Sequence, residues 1–288
     1  MASESFSSFA HGSLMLFGEH AVLRGKLAIV YPVAEKIAVT LTPRSDDVIT
    51  VNSATYGTYQ TSLTKFEFHD DWRFVLRAIY NQLKKIPTGF DLLIQSEMPA
   101  NIGFGSSAAV TVATLKALLT WINHEEPKAI DLFLFAKQVI LDVQKTGSGA
   151  DVAASVYGKL VVYRADPLEI TPIEINLPIV TMYSGNKVPT TEMISRINSF
   201  EAKYPKIAAK IFAAMDKCSE CAVKAIQKGD LVLLGELMNI HHGLQEAIGT
   251  CNKTLSDLIY ELRAMPTIYG AKISGAGLGD CVIGLGHA

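Results

Sequence analysis

Gly103-Phe104-Gly105-Ser106-Ser107-Ala108 places two glycines and two serines directly before a long apolar run with helical spacing. A glycine turn feeding a helix start leaves backbone N–H groups without intrahelical acceptors, and the helix dipole adds partial positive charge there. Such a turn can seat a phosphate, and small side chains let a polyanion approach the backbone closely. No Lys-Ser or Lys-Thr follows the glycines, so the turn is not a Walker A loop, and the spacing does not fit the Rossmann fingerprint. A tight structural bend is the alternative reading.

Two further segments carry candidate chemistry. Leu16-Phe17-Gly18-Glu19-His20-Ala21-Val22-Leu23-Arg24-Gly25 brackets polar residues with apolar ones, as in a turn beside a cleft, or a surface turn with Glu19 solvated and His20 packed. Lys272-Ile273-Ser274-Gly275-Ala276-Gly277-Leu278-Gly279-Asp280-Cys281 reads as a glycine turn between two short strands. It is either a plain hairpin connection or a backbone pressed against a ligand. Asp151 follows Thr146-Gly147-Ser148-Gly149 and stands just before Val152-Ala153-Ala154, where a carboxylate can cap the next helix. His241 and His242 are adjacent on a helical stretch and point about 100° apart, a poor chelating pair. One is expected to pack inward and the other to meet solvent or a partner.

The chain as a whole narrows the function classes. It has 288 residues, 49% hydrophobic and 19% charged, enough for one large domain or two modest ones. A net charge of -2 gives no reason to expect nucleic-acid or membrane binding. No apolar run approaches a membrane span, and the first ten residues do not resemble a secretory signal. Four cysteines do not make a disulfide scaffold at this length, and Cys218 and Cys221 read as helix core or groove positions rather than metal ligands. A reducing, cytoplasmic setting is expected.

The elements that must position these residues follow from periodicity. Strands are expected at 27–33, 36–42, 48–52 and 58–63, then a helix over 70–85 with Trp72, Val75, Leu76, Ile79, Tyr80 and Leu83 on one stripe. Residues 89–96 alternate and lead to the glycine–serine turn. Helices are expected over 107–121, from Pro127 to about 144, and over 151–157, followed by a strand at 160–163. Asp166-Pro167 and Leu177-Pro178 punctuate the chain, which places a domain boundary in 165–178 and domains at 1–172 and 173–288. The second half reads as a strand at 179–183, helices from about 190 to 265, and strands at 268–274 and 281–285. Without internal repeats, this order predicts an α+β chain with two lobes.

Taken together, the three glycine-containing segments resemble the GHMP kinase superfamily, named for galactokinase, homoserine kinase, mevalonate kinase and phosphomevalonate kinase. The resemblance spans nearly the whole chain and keeps the order of the family's motifs. Within the family, Gly18-Glu19-His20-Ala21-Val22, Asn186-Lys187-Val188-Pro189-Thr190-Thr191 and Met238-Asn239-Ile240-His241-His242 are most similar to the mevalonate kinase branch. The resemblance implies a ribosomal-protein-S5-like N-terminal lobe, a ferredoxin-like C-terminal lobe, and ATP meeting its substrate in the cleft between them. It implies ATP-dependent phosphorylation of the 5-hydroxyl of mevalonate or a related acid alcohol. Gly103, Phe104, Gly105, Ser106, Ser107 and Ala108 would wrap the phosphates, with Ser107 helping to hold Mg²⁺. Asp151 matches the family's catalytic aspartate. Glu19 and His20 fall where the acid substrate is contacted, Lys187 is a further substrate candidate, and Gly275, Ala276 and Gly277 would line the nucleotide site.

The chain departs from the pattern at two positions. His11-Gly12-Ser13 stands where mevalonate kinases usually read Pro-Gly-Lys, so the lysine near the catalytic aspartate is absent; His11 and Lys26 are candidate substitutes. Ile140 stands where a metal-binding glutamate is usual, and Asp142 is turned about 200° away on the helix. Phosphomevalonate or diphosphomevalonate as substrate, and a catalytically weak nucleotide- or metabolite-binding relative, are the competing readings. The apolar stripes on the later helices leave a homodimer open.

Overall fold

The computed structural model describes residues 4–98, 103–186 and 188–287. The chain folds into two compact units. Met1–Ser13, Pro32–Ala100 and Phe104–Gly158 form one, and Leu14–Tyr31, Asn101–Gly103 and Lys159–Ala288 form the other. Neither is contiguous, because strands β1 (Phe6–Phe17) and β2 (Ala28–Pro43) each contribute to both.

In the first unit, β2 pairs antiparallel with β5 (Phe90–Ser96), β5 pairs parallel with β3 (Val48–Ser53), and β3 pairs antiparallel with β4 (Gly57–Ser62). Alternation explains this register. Leu41 lies opposite Leu92, Val39 opposite Ile94, Ile49 beside Phe90 and Val51 beside Leu92, so one face of the sheet is apolar and buried. Helices α1 (Arg73–Gln82), α2 (Ser106–Asn123), α3 (Ala129–Gln144) and α4 (Ala150–Tyr157) pack against one another in this unit. α2 is apolar on most sides, as its sequence predicts, and Trp121 at its end meets Phe90 edge-on at 5.5 Å between centroids.

Two strands differ from the periodicity reading. β1 was not legible, because Ser7, Ser8, Ala10, Gly12 and Ser13 give no apolar alternation. These small residues serve close packing instead: the Ser8 hydroxyl donates to the Ala113 carbonyl of α2 at 2.6 Å. β2 is one continuous strand where two were expected, since Pro32 does not interrupt it.

In the second unit, the Ala28–Val30 end of β2 pairs with β6 (Leu160–Ala165), and β6 pairs with β7 (Leu168–Ile173). The Asp166-Pro167 signal is thus a hairpin turn, and the segment expected to hold the domain boundary contains a strand. A separate antiparallel sheet has the order β8 (Ile179–Tyr183), β10 (Cys281–Gly286), β9 (Ile268–Ser274). Helices α5 (Thr190–Lys203), α6 (Pro205–Lys228), α7 (Leu231–Ala247) and α8 (Lys253–Ala264) complete the unit, with α7 and α8 packed on β9. α7 comes very close: a Cβ on Gly235 would stand 2.4 Å from the Tyr269 carbonyl oxygen, and one on Gly270 would stand 2.1 Å from that of Gly235. This contact aligns α7 side chains with the free edge of β9. Asn239 accepts the Ala271 N–H at 3.1 Å, while Arg263 of α8 donates to the Ala271 carbonyl at 2.7 Å. At Ala271 both outward backbone groups of this edge are therefore satisfied by side chains.

Candidate functional site

In the first unit, one serine joins the two groups that the sequence singled out. Ser13 of β1 accepts no charge role; its hydroxyl donates to Asp151 Oδ1 at 2.9 Å, and its N–H donates to the Phe104 carbonyl at 2.9 Å. The same hydroxyl oxygen lies 2.3 Å from where a Cβ on Gly105 would stand, and Gly105 has φ of 64°. Both the left-handed backbone and the closeness of Ser13 therefore require glycine at 105. Gly105 immediately precedes α2, so the N–H groups of Ser106 and Ser107, in its first turn, have no intrahelical acceptor. Ala108 differs from expectation: its N–H is already taken by the Gly105 carbonyl at 3.0 Å. Ser107 keeps its side chain partly exposed at the second position of the helix.

Asp151 sits in the first turn of α4, after Gly149 with φ of 86°. It makes no capping bond, so the cap reading fails and the carboxylate is committed to Ser13. Surrounding protein raises its pKa above the ordinary aspartate value, and the Ser13 hydrogen bond opposes that shift. α4 is held to β1 by a second bond, Ser155 Oγ to the His11 carbonyl at 2.8 Å.

The candidate replacements for the missing lysine and glutamate are engaged elsewhere. His11 Nδ1 donates to the Val33 carbonyl at 3.0 Å, and Lys26 lies 3.6 Å from Asp216 in the second unit. Asp142 accepts from Asn81 at 2.9 Å and from Gln138 at 2.7 Å, which fixes it on the outer side of α3. Ile140 is buried, with its Cγ2 3.2 Å from where a Cβ on Gly147 would stand.

The second unit gathers the other two motifs. Glu19 and His20 follow β1, with Gly18 at φ of 91° and His20 at φ of 61°. Glu19 is buried at 1% exposure and bonds through Oε1 to Lys272, which is 0% exposed. Burial raises the carboxyl and lowers the ammonium, and each charge opposes the other's shift. His20 Nε2 donates to the Ala276 carbonyl at 2.8 Å, and burial lowers its pKa to about 4, so the ring is neutral at pH 7. Gly275, Ala276 and Gly277 connect the antiparallel pair β9 and β10, so the third motif is indeed a hairpin. Its backbone is nevertheless tightly held. A Cβ on Gly277 would stand 2.5 Å from the Thr250 carbonyl oxygen, and Leu278 N–H donates to that same oxygen at 2.7 Å. Gly103 belongs to this unit, where a Cβ would stand 2.7 Å from Asp280 Cγ. His241 and His242 are both buried, so of the two alternatives expected for the outward ring, solvent or a partner, solvent is excluded. Lys187 lies outside the described residues.

Sequence reasoning did not assign Lys272 or His241 to a site. The signal in the sequence was a single lysine within the expected strand 268–274; the structure buries that strand from Gly270 to Ser274, where a lysine must have a partner.

Residues 73–159 match the GHMP kinases N terminal domain, and residues 222–288 match the GHMP kinases C terminal domain. The chain belongs to the GHMP kinase family. It is an α+β small-molecule kinase of that family, and the catalytic aspartate expected from the resemblance lies within the N-terminal match. The mevalonate kinase of Pyrococcus abyssi is 32% identical over 96% of this chain and 87% of its own length. That of Archaeoglobus fulgidus is 33% identical over 96% of this chain and 90% of its own. Among solved structures, the mevalonate kinase of Methanococcus jannaschii superimposes with a TM-score of 0.84 over 99% of this chain and 92% of its own, at 23% identity. The L. major mevalonate kinase in complex with R-mevalonate gives 0.79 over 98% of this chain and 87% of its own, also at 23% identity. These last two likenesses concern the fold.

Proposed function

We propose that this GHMP kinase phosphorylates the primary hydroxyl of mevalonate with ATP, in the cytoplasm. The observation that carries the reading is Ser13, which bonds Asp151 and packs on Gly105 at the start of α2. It holds the Asp151 carboxylate beside a helix N-terminus suited to phosphate, which supports Asp151 as the proton acceptor of a phosphoryl transfer. The Ser106 and Ser107 N–H groups bind phosphate oxygens, and Asp151 receives or orients the substrate hydroxyl through Oδ2, since Oδ1 is held by Ser13.

Mg²⁺ fits this donor set with a small protein share. Mg²⁺ normally keeps several waters and is held by phosphates, so the Ser107 hydroxyl is a sufficient ligand from the chain, and apolar Ile140 supplies none. When bound, the ion compensates charge on the phosphoryl oxygens. In the second unit, His20 with its Nε2–H spent on Ala276 presents Nδ1 as an acceptor for a hydroxyl of the acid substrate, Lys187 adds positive charge, and Glu19 acts from behind. Gly275, Ala276 and Gly277 contribute backbone to the nucleotide.

A coupled assay with ATP, Mg²⁺ and mevalonate tests the reading, with Asp151→Asn as control. We expect turnover in the native enzyme and a loss of about a hundredfold or more in kcat in the variant. ATP binding without turnover above the variant would instead favour a nucleotide-binding relative, which Ser13 and Ile140 make the second reading. Running phosphomevalonate and diphosphomevalonate in the same assay settles the substrate.

A further inference from the structure

Four consecutive residues ahead of the first helical turn are fastened by three groups of the second unit, His241, Lys272 and the Ala276 carbonyl. The Phe17 ring meets the His241 ring edge-on at 5.4 Å between centroids, and Gly18 N–H donates to His241 Nε2 at 3.1 Å. Glu19 bonds to Lys272, and His20 donates to the Ala276 carbonyl. The Gly18 bond fixes the tautomer of His241: Nε2 accepts, so the proton is on Nδ1, which faces Glu19 Oε2 at 3.7 Å. Lys272 has three donors and three oxygen neighbours, namely Glu19 Oε1, the Ile273 carbonyl and the Met15 carbonyl at 3.5 Å. The Gly275 N–H also favours the ionised Glu19.

This arrangement is costly for a merely structural contact. Two charges are withdrawn from water where a packed apolar pair would hold the fold at least as well. It stands between the strained residue His20, at φ of 61°, and the Gly275–Gly277 turn to which His20 is bonded. We propose that Lys272 is a positioning residue that, through the Glu19 carboxylate and with His241 behind it, fixes the His20 ring against Ala276 so that Nδ1 is presented to the substrate. Glu19 is then a clamp on the recognition histidine and makes no substrate contact of its own, as its burial requires. This rests on the reading of His20 as a substrate contact.

The test replaces both charges at once. Glu19→Leu with Lys272→Met leaves no unpaired buried charge, so the full-length double variant is expected to fold. Two readouts follow. Nitrogen NMR of labelled histidine, with His20 assigned from its loss in His20→Gln, should show a neutral Nε2–H ring in the native protein that titrates at about 4. In the double variant that ring should titrate nearer the ordinary histidine value, with Arg24 as the charged neighbour still facing it. The KM for mevalonate should rise about tenfold or more, with the KM for ATP nearly unchanged, as expected for a displaced substrate contact. A double variant with native KM and a native His20 spectrum overturns the proposal and leaves the pair structural. Should the apolar pair fail to fold, Glu19→Gln carries the same two readouts. The His20 spectrum needs no substrate, whereas an unchanged KM in His20→Ala would overturn the substrate reading alone, so the two failures are distinguishable.

Discussion

Ser13 shows how a single neutral side chain can hold a carboxylate in place by geometry. It cannot supply the positive charge of the lysine usual at its position, but it orients Asp151 and lowers a pKa that burial raises. Ser13→Ala removes the lowering contribution, so the Asp151 pKa rises further and the acid limb of the kcat/KM–pH profile moves to higher pH. Activity at neutral pH should fall about fivefold, the value of one ordinary hydrogen bond; an unmoved acid limb would count against Asp151 as the titrating group. His242 gives a second test at this scale. Its pKa is lowered by burial to about 4, from an ordinary 6.5. Between those values the unfolded chain takes up a proton that the folded chain does not, so its contribution to stability is intact above pH 6.5 and is lost as pH falls toward 4. Urea unfolding of His242→Gln should therefore show a shallower loss of stability on acidification, by up to about 3 kcal/mol. Parallel curves for the two proteins would refute this.

At the scale of elements, the glycines at 235 and 270 decide where α7 lies. Their close approach places Asn239 on the edge of β9 and brings His241 to Gly18 and Glu19. Gly235→Val should push α7 away from β9 and cost about 1–3 kcal/mol in unfolding free energy. It should also disturb the His20 environment, although residue 235 touches no candidate site group; a stable variant with an unchanged His20 signal would show that the contact is not needed for alignment. Helix α2 illustrates the opposite case. Its apolar run and glycine–serine start were readable because a helix N-terminus is local chemistry. β1 was not readable, because its small residues are explained by the α2 surface they meet and not by their own periodicity.

At the scale of the molecule, both units draw on β1 and β2, so contiguous sequence and compact unit do not coincide. A fragment comprising residues 173–288 contains all of the β8–β10–β9 sheet and its helices, yet lacks Glu19 and Ala21. Lys272 would keep a buried charge without its carboxylate, and the cluster of Ile197, Ala208, Phe212, Met215 and Ile248 would lose the Ala21 that completes it. The fragment should express as a poorly ordered or insoluble chain, judged by the dispersion of its amide NMR spectrum, and addition of residues 14–31 in trans should improve it. A well-dispersed spectrum from the fragment alone would show that these contacts are dispensable.

The sequence by itself determined the α+β class, the family, the glycine–serine helix start, and the candidacy of Asp151, because each depends on residue types within a few positions of one another. Tertiary structure alone decided that Ser13 is the partner of Asp151, 138 residues away, and that Lys272 is the partner of Glu19, 253 residues away. It also decided that Asp142 is committed to Asn81 and Gln138. The physical reason is that a buried polar group must find a partner, but sequence spacing does not say which distant residue the fold will deliver. The glycine–serine turn is thus readable as a helix start from its own residues, while the partner of the carboxylate beside it is set by a strand whose pairing no local pattern announced.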